Sequence, residues 1–425
     1  MELTSQIKEY ILEGVVKRFL KYVQIDSQSD DNSNSFPSTQ EQIQFGKVLV
    51  EELKLLGLQN IIHDKYGYIY AQLRASKGYE SSQEIGLIAH LDTSPSVNGK
   101  DVKPKIHSNY QGGVINFEKN KNLVLSLEDS PALNDYMGED IITSKGDTLL
   151  GADDKAGIAE IMTLCDVLST FTQLVHGPIV ICFFPDEELG KGTEKIDISK
   201  LPRICYTVDG SRIGELEFEC FDAWKVNIIF KGLNVHPGYA KGLMINSIHI
   251  AAQFISDLPE FETPRNTEGR EGFYHLISLK GTPEKSKATL LLRDFEEEKN
   301  SERFKYLEIL KTLYERKYEG LKIEIDVEHQ YENMKKYLES DSKVIKIAKE
   351  AIQKAGLDPI IHSIRGGTDG AHLSKKGIPT PNLFTGGMLF HSKKEYIPKI
   401  ALQKATEVLL YLSLLWKKHK KMKEK

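Results

Sequence analysis

The chain has 425 residues, 40% of them hydrophobic and 28% charged, with a formal net charge of -5. That length exceeds what one ordinary core serves, so two domains are expected, in a globular and not a disordered chain. The mild acidity gives no electrostatic footing for nucleic acid or an anionic membrane.

The four cysteines (Cys165, Cys182, Cys205, Cys220) form no CxxC pair. Cys182 and Cys205 lie in apolar runs and read as buried free thiols in a reducing compartment. The N-terminus lacks the pattern of a signal peptide, and no run approaches about 18 uninterrupted apolar residues. A cytoplasmic protein without a membrane partner is the expectation.

In chain order, Ile7, Ile11, Val15, Phe19 and their neighbours recur at helical spacing and predict an amphipathic helix over 4–23. The polar stretch 26–39 reads as a loop. A second helix is expected from 40 to 56, stopped by Gly57. Short runs rich in Ile, Leu and Tyr at 59–64, 67–74 and 84–90 predict strands, the last ending on His90. Residues 93–149 are punctuated by Gly, Pro and Asn and read as loops with short strands. DDKAGIAEIMTLCDVLSTF (153–171) predicts a helix with Asp153 and Asp154 at its start, favourable for the helix dipole. PIVICFF (178–184) and ICYTVD (204–209) predict buried strands, delivering PDEELG and Asp209 at their ends. Near residue 221 the pattern changes to strand–helix–strand–strand–helix–strand, which fits a small α+β insertion of the split βαβ kind. A helix at 340–355, strands at 360–364 and 381–384, a helix at 396–417 and the lysine-rich tail 417–425, read as frayed and solvated, complete the chain. The fold class expected is an α/β/α catalytic domain with a central mixed sheet, built from 1–220 and 331–425. A ferredoxin-like α+β insertion is expected over 221–330.

His90 and Asp92 in HLDTSP, Asp153 and Asp154 in LGADDKAG, Glu187 and Glu188 in PDEELG, Asp209 in VDGS and His391 in FHSKKE fall at strand ends, a helix start or a loop. Ligands gather at such edges in open α/β sheets. Each motif alone has a plain structural reading: a polar loop after a strand, an N-cap, a solvated turn. Paired acids at a helix start or after an apolar strand repel unless a cation relieves them. A zinc site built without cysteine needs His nitrogen and carboxylate oxygen, with a carboxylate often orienting the His. His90 followed by Asp92 suits that arrangement, and one of the paired glutamates suits a general base.

HLDTSP, LLGADDKAGIAEI, PDEELGKG, TVDG, GELEFE, NVHPGYAKG, EGFYHL, RDF, IRGGTDGAHLS and PNLFTGG follow one another in an order and spacing that resemble the peptidase T family. These are tripeptide aminopeptidases of the two-zinc exopeptidase clan that also holds aminoacylases and carboxypeptidase G. The likeness runs from about residue 5 to residue 415. It implies two Zn2+ per chain bridged by Asp153, with His90 and Asp209 completing one and Glu188 and His391 the other. It implies that Asp92 orients His90, that Glu187 is the general base, and that a cis bond joins Asp153 to Asp154. It further implies that the inserted domain at 221–330 is a lid domain, that His236 on this lid reaches the oxyanion, and that Arg293 and Arg365 clamp the peptide carboxylate. A turn histidine and two ordinary ion pairs, Arg293 with Asp294 among them, are the structural alternatives. After TGG the chain reads MLFHSKKE where the family has a tyrosine-containing stretch and HGKHE, so Ser392 and Lys394 replace a glycine and a histidine. This leaves the substrate preference open.

The activity expected is release of the N-terminal residue of tripeptides by metal-activated water, with a short peptide as partner. A dipeptidase, an N-acyl amino acid deacylase, or a non-catalytic binding homologue are the other readings. Retention of Glu187 beside all five candidate ligands argues against the last. The oligomeric state stays open, a homodimer included.

Overall fold

The computed structural model describes residues 2–338 and 342–421, arranged as two compact units. The first comprises Met1–Phe218, Tyr337–His362 and Thr368–Lys425, the second Glu219–Lys336 and Ser363–Gly367.

In the first unit, among the described residues, an eight-stranded sheet runs in the order Gln59–His63, Ile69–Leu73, Ile179–Phe184, Ile85–His90, Cys205–Gly210, Asn382–Phe384, Glu215–Cys220, Ile360–Ile364. Ile179–Phe184, Ile85–His90, Cys205–Gly210 and Asn382–Phe384 are mutually parallel, so their carboxyl ends share one edge. Both faces of Ile85–His90 and of Ile179–Phe184 are buried, which explains why these strands read as continuous apolar runs without alternation. Helix Ser5–Tyr22 buries Ile7, Ile11, Val15, Phe19 and Tyr22 at three- and four-residue intervals. It packs against helices Ala152–Thr170 and Lys399–Trp416. The last of these is buried along most of its length.

Residues 93–149 hold the short strands Lys105–His107 and Ile141–Thr143, which join Tyr396–Pro398 in a three-stranded sheet. The tail departs from its frayed reading: the Gln83 N–H donates to the His419 carbonyl at 2.6 Å, and the Lys421 N–H to that of Ser81 at 3.2 Å. Backbone pairing thus reaches residue 421, and the remainder of the tail lies outside the described residues, as do positions 340 and 341 of the helix expected from 340. The helix itself covers Ser342–Lys354.

The second unit is an antiparallel sheet in the order Phe273–Gly281, Lys285–Asp294, Asp222–Lys231, Lys322–Tyr331. Helices Ser247–Ser256 and Glu297–Lys317 complete the strand–helix–strand–strand–helix–strand order. Alternate residues Val226, Ile228 and Phe230 meet Phe254, Leu290, Leu307 and Leu310 in its core. The four cysteines are free and buried. No described helix is long and apolar enough to cross a membrane.

Candidate metal centre

His90 is the last residue of a strand paired on both sides, which fixes its backbone at the carboxyl edge of the sheet. Its Nε2 lies 2.8 Å from Asp153 Oδ1 and 3.6 Å from Asp209 Oδ1. Asp153 turns its other oxygen, Oδ2, to His391 Nε2 at 3.0 Å, so one carboxylate faces a histidine on each side. His391 Nε2 is also 2.9 Å from Glu188 Oε1. The structure therefore gathers His90, Asp153, Glu188, Asp209 and His391 in the first unit. The donor atoms of His90, Asp153 and Glu188 lie within 4.8 Å of one another.

The helix start that presents Asp153 is not regular. The Asp153–Asp154 peptide bond is cis, and both residues depart from helical dihedral angles. Asp154 points the other way, accepting the His90 N–H at 3.0 Å and the Gly157 N–H at 3.2 Å. Gly157 is required here: a Cβ would stand 2.0 Å from the Val208 carbonyl oxygen and 2.5 Å from Asp154 Oδ1.

Glu187 and Glu188 follow Asp186, whose φ of 53° turns the chain after the buried strand. Asp186 accepts from Ser38 N and Oγ and from Gln42 Nε2, tying this turn to the loop and helix at 26–55. Asp92 is fully buried. Its two oxygens accept the N–H groups of Glu187 at 3.0 Å and Glu188 at 3.1 Å. It stands 3.4 Å from His90 Nδ1, so its stronger hold is on the paired glutamates. Asp209 is held from behind, its N–H donating to Asn382 Oδ1 at 3.1 Å.

Burial and Asp153 push Glu188 up to about 8. Burial, again with Asp153, pushes Asp209 up to about 6. Asp153 and Glu188 draw His391 up to about 11. Burial opposes charge on His90, yet Asp209, Asp153 and Asp92 together raise it well above the usual histidine range. Glu187 is raised chiefly by burial. The crowded acids thus call for positive charge at this point. Glu188 Oε1 is buried without a hydrogen bond, its near neighbour being His391 Nε2. A divalent cation would satisfy an orphaned carboxylate oxygen of this kind. The set offers imidazole nitrogen and carboxylate oxygen without thiolate, which fits zinc and its neighbours in the series.

The remaining sequence candidates lie in the second unit. His236 is exposed, and its Nδ1 accepts the Gly238 N–H at 3.2 Å, which caps the turn Pro237–Tyr239. Arg293 donates to the Trp224 and Leu292 carbonyls and to Gln330 Oε1. Its expected alternative partner Asp294 pairs with Arg303 instead, at 2.6 Å. Arg365 donates to the carbonyls of Thr267, Gly269 and Glu271 and lies over the rings of Phe221 and Phe273. Sequence reasoning missed Asn382 and Glu395. The latter accepts the N–H groups of Leu150, Gly151 and Asp153. Both sit inside quoted motifs, PNLF and FHSKKE, but partners some 170 to 245 residues away left no local signal.

A family model described as peptidase family M20/M25/M40 matches residues 146–414. The chain is 46% identical over 406 residues to a peptidase T from Clostridium acetobutylicum, covering 95% of this chain and 99% of that one. The fold matches an aminopeptidase PepT from Bacillus cereus with a TM-score of 0.75 at 24% identity, covering 95% and 98% of the two chains. It also matches a Bacillus subtilis protein described as a dinuclear metal-binding peptidase of the M20 family, with a TM-score of 0.66 at 14% identity over 96% and 98%. Edge-of-sheet acids and histidines, the two-unit fold and near full-length identity agree: the chain is a peptidase belonging to family M20/M25/M40, within its peptidase T group.

Proposed function

We propose that this peptidase is a two-zinc aminopeptidase that releases the N-terminal residue of tripeptides. The observation that carries the metal reading is Asp153, with one oxygen directed to His90 and the other to His391. In this reading Asp153 is shared, His90 and Asp209 hold one ion, and Glu188 and His391 hold the other. The length preference follows from the peptidase T relatives, to which the identity is high along the whole chain.

Bound there, a metal pair supplies activated water near neutral pH and polarises the scissile carbonyl. The chain's own residues do the rest. Glu187, next to a candidate ligand and held by its N–H to Asp92, takes the proton of the attacking water and delivers it to the leaving amine. Asp92 fixes both glutamate backbones and lies beside His90. In the second unit, His236, Arg293 and Arg365 are assigned to substrate. Neither guanidinium has a carboxylate partner among the described residues, which leaves its charge for a peptide carboxylate. The second unit itself, close to 221–330, is assigned the part of a lid.

Glu187→Gln is expected to keep its bound metal and lose nearly all turnover. Substantial residual activity would refute the role given to Glu187. Matched di-, tri- and tetrapeptides, hydrolysed with and without a chelator, test the rest. A preference for dipeptides or for blocked N-termini would move the assignment to a dipeptidase or a deacylase.

A further inference from the structure

The backbone that presents Asp153 is held by an acid from the far end of the chain. Glu395 is 1% exposed. Its Oε2 accepts the N–H groups of Leu150 and Gly151, both at 2.8 Å, and its Oε1 accepts the N–H of Asp153 at 3.1 Å. N–H groups at a helix start have no intrahelical partner, and the cap residue Gly151 has no side chain to offer one. Glu395 supplies what the local sequence lacks.

The same loop carries His391 four residues earlier, and it is firmly shaped. Leu389 and His391 both adopt φ near +57°, at 56° and 58°, a region that favours glycine. Ser392 Oγ donates to the Leu389 carbonyl at 2.7 Å and accepts the Lys394 N–H at 3.1 Å. Lys394 Nζ reaches Asp129 Oδ1 at 2.5 Å. The residues that depart from the family pattern, Ser392 and Lys394, thus act as struts of this loop. A short, braced segment therefore connects His391 to the carboxylate that grips the amide of Asp153.

We propose that Glu395 is a positioning residue that sets His391 and Asp153 in register, and that it governs the ion held by Asp153, Glu188 and His391 more than the one held by His90, Asp153 and Asp209. The inference rests on the two-metal reading above. Asp209 and His90 sit on sheet strands that Glu395 does not touch, so the first set keeps two of its three ligands in place. The second set owes the relation between two of its three ligands to Glu395.

The test is titration of metal-free protein with zinc chloride against a competing chelator, for the unsubstituted chain and Glu395→Gln. The glutamine matches the volume. Its single oxygen can still serve Leu150 and Gly151, but its amide NH2 then opposes the Asp153 N–H. The expected result is two zinc ions on the unsubstituted chain, and in the variant a loss of about 10–100-fold at one site with a smaller loss at the other. Equal losses at both sites, or none, overturn the inference alone. Lower stability in urea with both zinc affinities unchanged also overturns it, because that is the signature of a merely structural contact. If the unsubstituted chain binds fewer than two ions, the inference and the reading beneath it fall together. Glu395→Asp, which keeps the charge and shortens the reach, carries the same criteria if the glutamine variant does not fold.

Discussion

Asp92 is the carboxylate whose removal the structure lets one grade. It is fully buried and accepts two backbone N–H groups, from Glu187 and Glu188. In Asp92→Asn the amide oxygen can keep one of them, while the NH2 meets the other donor head-on. Leaving one buried donor unpaired costs about 1–3 kcal/mol. In Asp92→Ala both donors are orphaned, so the expected cost rises to about 2–6 kcal/mol. The chain has two tryptophans, Trp224 in the second unit and Trp416 in the first. Trp416 is buried and donates to Tyr206 Oη at 3.0 Å. In a Trp224→Phe background, urea unfolding of the metal-free protein followed by fluorescence therefore reports the first unit alone. Because the turn bearing Glu187 is released, kcat should fall by about tenfold or more, with a lesser effect on KM. Stability of Asp92→Asn within about 0.5 kcal/mol of the parent, or an alanine variant no worse than the asparagine, would show that these two bonds do not hold the turn.

Gly157→Ala should destabilise the metal-free first unit by about 1–3 kcal/mol, since the new methyl would press on the Val208 carbonyl and on Asp154; a variant as stable as the parent in the same fluorescence assay would contradict the close approach. A pH test concerns His362, which Glu217 draws above the usual histidine value by a hydrogen bond at 3.2 Å. A raised histidine contributes fully below its unfolded value of about 6.5 and loses that contribution as the pH climbs through the folded value. The stability difference between the chain and His362→Gln should accordingly be larger at about pH 5.5 than at about pH 8.5, and the opposite order would count against the ion pair.

The parts of this site that sequence reveals are those where chemistry and local pattern coincide. His90, Glu188 and Asp209 stand at or just beyond the ends of apolar strands, whose burial makes the runs visible, and Asp153 opens a long apolar helix. Strand Glu215–Cys220 went unread although Leu216 and Phe218 alternate with acids. Glu217 is itself buried, and the Asn382 amide that bonds it comes from a distant strand, a pairing that no local window shows. Glu395 and Asn382 act on backbone amides, and a backbone amide leaves no mark in the sequence at the position it serves. The arginines show the converse limit: Arg293 stands beside Asp294 in sequence, yet strand geometry gives Asp294 to Arg303.

The order in which the first unit is assembled has a consequence for its synthesis. Its core draws on residues from Leu3 to Trp416, and the helix Ser5–Tyr22 packs on Lys399–Trp416. A ribosome makes His90, Asp153, Glu188 and Asp209 long before it makes His391 and Glu395. The second unit, a continuous segment apart from Ser363–Gly367, emerges in between with a core of its own. Domains tend to fold as they emerge, so the inserted unit can mature while the acids that precede it are still unpaired. The carboxylate that steadies Asp153 and the histidine opposite it arrive together, in one of the last segments to leave the ribosome. A nascent chain therefore cannot complete this centre early, and chains released short of residue 391 would carry the acids without the groups that organise them.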